Sequence, residues 1–263
     1  MKIKILIAIC LLQVSWCAKA CADENWTEYR SRHFRIYYRS APRNFVKNIE
    51  DMAERYYDEI TRNMGFFREH NWTFDDRAQI YIYDSQQEYV NSAQIAGWSH
   101  GSADPKDKII RTFPAAHGFF DSTLPHELGH IIFREFVGQS KAIPLWFEEG
   151  VAMYQEKARR WGVDAIVKEA IEDGSFIPLE QLSRVRLYKH TEQKFVELFY
   201  AESASVVNFL IDLEGEQKFF KFLRKMNQGS EFIVAFKSTY RRFDNIDDLD
   251  RVWMQSLKRK NGK

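Results

Sequence analysis

Two histidines four residues apart, His126 and His130, bracket a glutamate in the run His126-Glu127-Leu128-Gly129-His130. Neutral imidazole is a common ligand for divalent metals, and a carboxylate beside such an ion can act as a base toward water. The run lies in a segment that reads as helix. Asp121 or Ser122 stands where a cap is expected, Pro125 falls in the first turn, and Leu128, Ile131 and Ile132 can face a core. On a helix, residues four apart are turned by about 400°, roughly 40° from eclipsed. Both imidazoles therefore leave the same face one turn apart, which suits two nitrogens meeting one Zn²⁺ at about 2.0–2.1 Å each. Glu127 lies about 100° round from His126. That puts it beside the ion rather than on it, where it can take a proton from an activated water.

A catalytic zinc takes three protein ligands and leaves a fourth position for water. The next strong segment is Pro144-Leu145-Trp146-Phe147-Glu148-Glu149-Gly150-Val151-Ala152-Met153-Tyr154. Pro144 can open a helix, and Trp146, Phe147, Val151 and Tyr154 can bury it, which sets Glu148 and Glu149 amid apolar residues. Carboxylates avoid burial unless paired or bound to a metal. The two point about 100° apart, so one can be a ligand while the other is solvated, or both can lie on a wet face. Asp121 and Asp164 are candidate orienting partners for the histidines, and His100 stands in a loop that could line a cleft. His33, His70, His117 and His190 have no partner by spacing.

At this point the chain resembles the gluzincin zinc metallopeptidases of the peptidase MA-like family. In these, HExxH is followed by eighteen residues and a ligand Glu, often before Gly; here residues 131–148 are eighteen, 149 is Glu and 150 is Gly. The resemblance implies one Zn²⁺ held by His126, His130 and Glu149, with Glu127 as general base, and it prefers Glu149 to Glu148. It extends through the Trp146–Gly150 segment and through a later run, Tyr200-Ala201-Glu202-Ser203-Ala204-Ser205-Val206-Val207-Asn208-Phe209-Leu210, covering roughly residues 120–215. Relatives often stabilise the oxyanion with a Tyr or His, and Tyr200, at the head of the matching helix, is the candidate. The same residue could be ordinary core, with Tyr188 and His190 as rivals. The implied substrate is a peptide or protein and the implied fold is zincin-like.

The elements that must hold these residues follow from periodicity. Alternation over His33–Arg39 predicts a strand, Ala78, Ile80 and Ile82 another, and Lys108–Phe113 a third. Apolar spacing of three or four predicts a helix from Pro42 to Met64. Gly97–Lys108, rich in Gly, Ser, Asp and Pro, reads as a loop. Beyond Asp121 the period is helical, with helices expected at 122–137, 144–158, 163–173, 194–213, 216–226, 231–240 and 246–258. Gly138, Gly174 and Gly215 stand at helix stops. The expectation is one α+β domain, a small mixed sheet with a helix followed by a mainly helical lobe.

The first residues carry a different message. Lys2 and Lys4 precede twelve uncharged residues, Ile5–Trp16, and Ala18-Lys19-Ala20 offers a small-x-small cleavage pattern. As a helix that run reaches only about 18 Å, short of a bilayer core of about 30 Å. Residues 1–20 therefore read as a secretory signal peptide, with an uncleaved N-terminal anchor as the alternative; a cut after 20 or 22 leaves 23–263 as the exported domain, secreted or periplasmic and with no transmembrane domain once the leader is removed. Loss of three lysines takes the formal charge from +1 to −2, and neither value argues for nucleic acid. The three cysteines, Cys10, Cys17 and Cys21, lie in or beside the leader, so the domain rests on its packed core rather than on disulfides. The expected function is an exported zinc metallopeptidase. Its rivals are an exported zinc-binding scaffold that cleaves nothing and a zinc hydrolase for a non-peptide amide of the cell envelope. Glu127 counts against the scaffold, because a purely structural site needs no base.

Overall fold

The computed structural model describes residues 26–66, 72–93, 101–114, 118–139, 141–156, 162–188 and 190–259. The expected leader and its cleavage sites, and His70, His100 and His117, lie outside the described residues. Strands β1 (Thr27–Arg30), β2 (Phe34–Tyr38), β3 (Ala78–Ile82), β4 (Gly101–Asp104) and β5 (Ile109–Thr112) form one sheet in the order β1-β2-β3-β5-β4. The central pairs β2/β3 and β3/β5 are parallel, and the outer pairs β1/β2 and β4/β5 are antiparallel. Helix α1 (Arg43–Asn63) makes the crossover between β2 and β3, as a parallel pair requires, and α2 (Gln86–Ala93) follows β3.

Alternation decides which sheet face is inside. Phe34 and Ile36 of β2, Ala78, Ile80 and Ile82 of β3 and Ile110 of β5 are fully buried. Their register aligns them across the strands, Ile36 with Ile80 and Ile80 with Ile110. Val46, Ile49, Ala53, Tyr56 and Ile60 make the buried stripe of α1. On the other sheet face Tyr37 stacks on Tyr81 at 4.8 Å.

The lobe that follows contains α3 (Leu124–Val137), α4 (Leu145–Tyr154), α5 (Val163–Asp173), α6 (Leu179–Leu182), α7 (Gln193–Glu214), α8 (Glu216–Asn227), α9 (Phe232–Thr239) and α10 (Ile246–Arg259). Among the described residues no helix is long and apolar enough to cross a membrane. The α+β expectation holds, and so do the predicted helices to within a few residues at their ends, except that residues 157–158 of the 144–158 expectation lie outside the described residues.

Three local expectations need correction. The stretch read as a loop over Gly97–Lys108 contains β4, since pairing of Gly101 with Thr112 and Ala103 with Ile110 outweighs its poor strand composition. Neither Asp121 nor Ser122 caps α3. A π-helical turn over Phe119–Thr123 leads into it, with the amides of Ser122 and Thr123 both donating to the Gly118 carbonyl at 2.8 and 3.2 Å. His33 does have a partner: its Nδ1 lies 2.5 Å from Glu54 Oε2, and its ring stacks on Tyr57. The strand β1 and the helices α2 and α6 were not anticipated, because each is too short or too polar to show a period.

Candidate metal centre

Helix α3 delivers the two imidazoles. Leu124, Leu128, Ile131 and Phe133 are fully buried and fix its roll. His126 and His130 then leave together on a partly open face, and their Nε2 atoms lie 3.1 Å apart. Helix α4 supplies the third group. Trp146, Phe147 and Val151 bury one side of it, and Glu149 points back to α3 with Oε2 at 3.4 Å from each Nε2.

Close backbone approaches set that reach. A Cβ on Gly129 would lie 3.1 Å from the Ala152 Cα, so α3 and α4 almost touch between the two histidines. A Cβ on Gly150 would lie 2.3 Å from the Ser203 carbonyl oxygen and 2.5 Å from Val207 Cγ2, so α4 is pressed equally hard onto α7. Gly150 neighbours Glu149, and its missing side chain is what lets the ligand-bearing turn sit between two helices.

The neighbouring acids divide the remaining roles. Glu148 points the other way, taking Arg134 Nε at 2.7 Å and Arg134 Nη2 in a two-pronged pair, with Arg134 Nη1 on the Lys141 carbonyl at 2.9 Å. One of its oxygens also faces His130 Nδ1 at 3.8 Å. Glu156 takes His126 Nδ1 at 2.8 Å. Both rings show Nε2 to the centre, and on His126 the Nδ1–Glu156 hydrogen bond is the arrangement that fixes the tautomer of a ligating histidine, whereas His130 Nδ1 has a carboxylate only at 3.8 Å. The candidates Asp121 and Asp164 do not fill this place: Asp121 is exposed, and Asp164 accepts from Ser205 Oγ at 2.7 Å. Glu156 was missed, although its spacing of seven from Glu149 was a usable signal, since two helical turns return to the same face.

Glu127 is buried and stands off the three converging atoms. At its side lies β4, where a Cβ on Gly101 would be 3.6 Å from Glu127 Oε1 and only 2.3 Å from Thr123 Cγ2. Burial pushes the Glu127 carboxyl up from its ordinary value, with His126 and His130 partly opposing. Burial would also raise Glu149, but His130 and His126 overcome it and hold that carboxyl well below the carboxylate range. For His126, burial is outweighed by Glu149 and Glu156, which lift it to about 9. His130 is lifted likewise by Glu149 and Glu148.

The donor set fits a metal on its own geometry. Three atoms with edges of 3.1, 3.4 and 3.4 Å match a tetrahedral ion, whose ligands at about 2.0–2.1 Å stand about 3.3–3.4 Å apart. Glu149 Oε2 is buried and accepts no hydrogen bond, an orphan that a cation would satisfy. His126, His130 and Glu149 are the metal-competent group found among the described residues.

Tyr200 does not head α7 but lies two turns into it, half-buried, with its ring 5.7 Å from that of Phe199. It is one turn before Ser203, the residue on which Gly150 rests. Its rivals are less enclosed: Tyr188 is 72% exposed and His190 is exposed.

A sequence model of the family described as the Peptidase MA superfamily matches residues 71–259. The match takes in β3 to β5, both ligand-bearing helices and the whole helical lobe. No curated protein matches the chain.

Proposed function

Since the chain belongs to the Peptidase MA superfamily, we propose that it is an exported zinc metallopeptidase that hydrolyses peptide bonds at the His126–His130–Glu149 centre. One observation carries the reading: three ligand atoms from two helices converge at tetrahedral spacing while a buried, unligated carboxylate, Glu127, stands beside them. A zinc ion held there supplies Lewis acidity toward a carbonyl oxygen and acidifies water at its open position. Glu127 takes the proton of the attacking water on its carboxylate and returns it to the leaving amine. Its burial, which raises its basicity, suits that task. Glu156 holds the proton on His126 Nδ1 and so keeps Nε2 free for the ion. Tyr200 is the proposed donor to the developing oxyanion. Among the described residues β4 is an edge strand, beside Glu127, and an extended peptide could pair along it. Export is supported by the charged, apolar and small-residue pattern of residues 1–20.

The test is Glu127→Gln, with metal content and cleavage of a peptide library measured together. Zinc should remain at one per chain while cleavage falls by about 10²–10⁴-fold. A zinc-loaded wild type that cleaves no peptide, or a Glu127→Gln variant that cleaves as well as wild type, would overturn the reading. In the same assay Tyr200→Phe should lower kcat with KM little changed, and an unchanged kcat removes Tyr200 from the mechanism.

A further inference from the structure

Charge is spread evenly over most of this chain but not over α8 and α9. Residues 217–242 hold seven Lys and Arg against one acid, Glu231, in a protein whose formal charge is +1. Lys221, Arg224, Lys237 and Arg241 are exposed and have no acid within ion-pair distance among the described residues. Lys221, Arg224 and Lys225 line a depression of about 360 Å³ along α8, with Gln217 and Gln228 at its ends and Phe220 on its wall. Lys225 joins this to α9 by donating to Ser238 Oγ at 2.7 Å. Its amine is held below the ordinary value, by burial first and then by the neighbouring cations Lys221, Arg241 and Lys218, the last of which is itself paired with Glu214 at 2.9 Å.

The same face carries exposed aliphatic side chains. Among the described residues five large apolar side chains are exposed, and two of them, Ile233 at 44% and Val234 at 56%, are neighbours on α9. Helical spacing puts them on one outward stripe with Lys237 and Ser238, and Arg241 follows just past the end of the helix. An aliphatic pair ringed by lysine and arginine is the composition of a surface that rests in a lipid interface, with the apolar residues entering the acyl boundary and the cations over the headgroups. A single-stranded nucleic acid would call instead for exposed rings on which bases stack. Of the rings of α8 and α9, Phe219, Phe222, Phe232 and Phe236 are buried and Phe220 is half-buried on the wall of the depression, so none stands fully exposed.

We infer that the α8–α9 face docks the protein on an anionic phospholipid surface, through Lys221, Arg224, Lys237 and Arg241 on headgroup phosphates and Ile233 and Val234 in the interface. The test is co-sedimentation of the protein, as recovered from an exporting host, with vesicles of phosphatidylglycerol in phosphatidylcholine and of phosphatidylcholine alone. Binding should favour the phosphatidylglycerol vesicles and weaken with salt. The triple variant Lys221→Gln, Arg224→Gln, Lys237→Gln should lose roughly fivefold per charge, on the order of a hundredfold in all, with metal content and melting temperature unchanged. Ile233→Ser with Val234→Ser should weaken vesicle binding but not retention on a soluble polyanion such as heparin. Equal binding to both vesicle types, or a triple variant that binds like wild type, overturns the inference. An aliphatic variant that loses nothing on vesicles replaces the lipid with a polyanionic partner.

Discussion

At the residue scale the centre depends on carboxylates that never reach the metal position. Glu156 is almost fully buried and bonds His126 Nδ1 at 2.8 Å, while Glu148 is held by Arg134 and stands 3.8 Å from His130 Nδ1. The two histidines are therefore unequally supported, and His126 relies on Glu156. Glu156→Ala should lower zinc affinity by about 10–100-fold, measured by competition with a chelator, because the ring loses its tautomer lock. Glu156→Gln, whose amide oxygen can still accept from Nδ1, should lose less. Equal affinities for wild type and Glu156→Ala would show that α3 alone orients the ring. Proton competition adds a sign. With His126 lifted to about 9 in the metal-free site, binding must displace protons, so zinc affinity should fall as pH drops below that value.

At the scale of elements, the separation of α4 from its neighbours decides whether Glu149 can arrive. A methyl on Gly150 would meet backbone, the Ser203 carbonyl at 2.3 Å, which no rotamer change relieves. Gly150→Ala should therefore push α4 off α7 and cost about 1–3 kcal/mol or more of stability, the usual range for overpacking. It should also weaken zinc binding, since Glu149 rides on the displaced turn. A variant with wild-type melting temperature and zinc affinity would show that the helices shift freely.

Much of this level was legible beforehand. The 3.6-residue period placed α1, α3, α7 and α8, and the four-residue histidine spacing placed both imidazoles on one face. Spacing alone did not choose between Glu148 and Glu149. The resemblance favoured Glu149, and the structure brings its carboxylate to the histidines because Glu148 is turned toward Arg134. Strand β4 was illegible because its four residues, Gly-Ser-Ala-Asp, are poor strand formers held only by a partner strand. Glu156 stands just past the end of α4, and a single acid on the expected 144–158 helix carries no mark, beyond its spacing from Glu149, that separates a histidine's partner from a solvated side chain.

At the scale of the whole molecule the helical lobe is tied together by two buried acids outside the centre. Glu202 of α7 is fully buried and takes the Ile177 amide at 2.9 Å, and Asp250 of α10 is buried facing the backbone at Leu179. Two helices thereby hold the segment that enters α6. The arrangement favours protonated acids. Burial, aided by Asp250, pushes Glu202 up to about 8, and burial with Asp247 pushes Asp250 up to about 6. A carboxyl whose folded value lies above its unfolded one contributes stability in full below the unfolded value and loses it as pH rises to the folded value. The wild type should therefore become less stable from the ordinary carboxylate range up to about 8 and change little beyond. Glu202→Gln keeps an acceptor for the Ile177 amide and carries no charge to bury, so its melting temperature should fall less over the same window. The difference between the two profiles should amount to something on the order of 5 kcal/mol at the alkaline end. The slope is the deciding quantity, because the new amide donor has its own needs at a position where Glu202 Oε2 finds no partner. Thermal unfolding of both proteins across that window measures it, and parallel profiles would mean that Glu202 is already ionised in the folded chain.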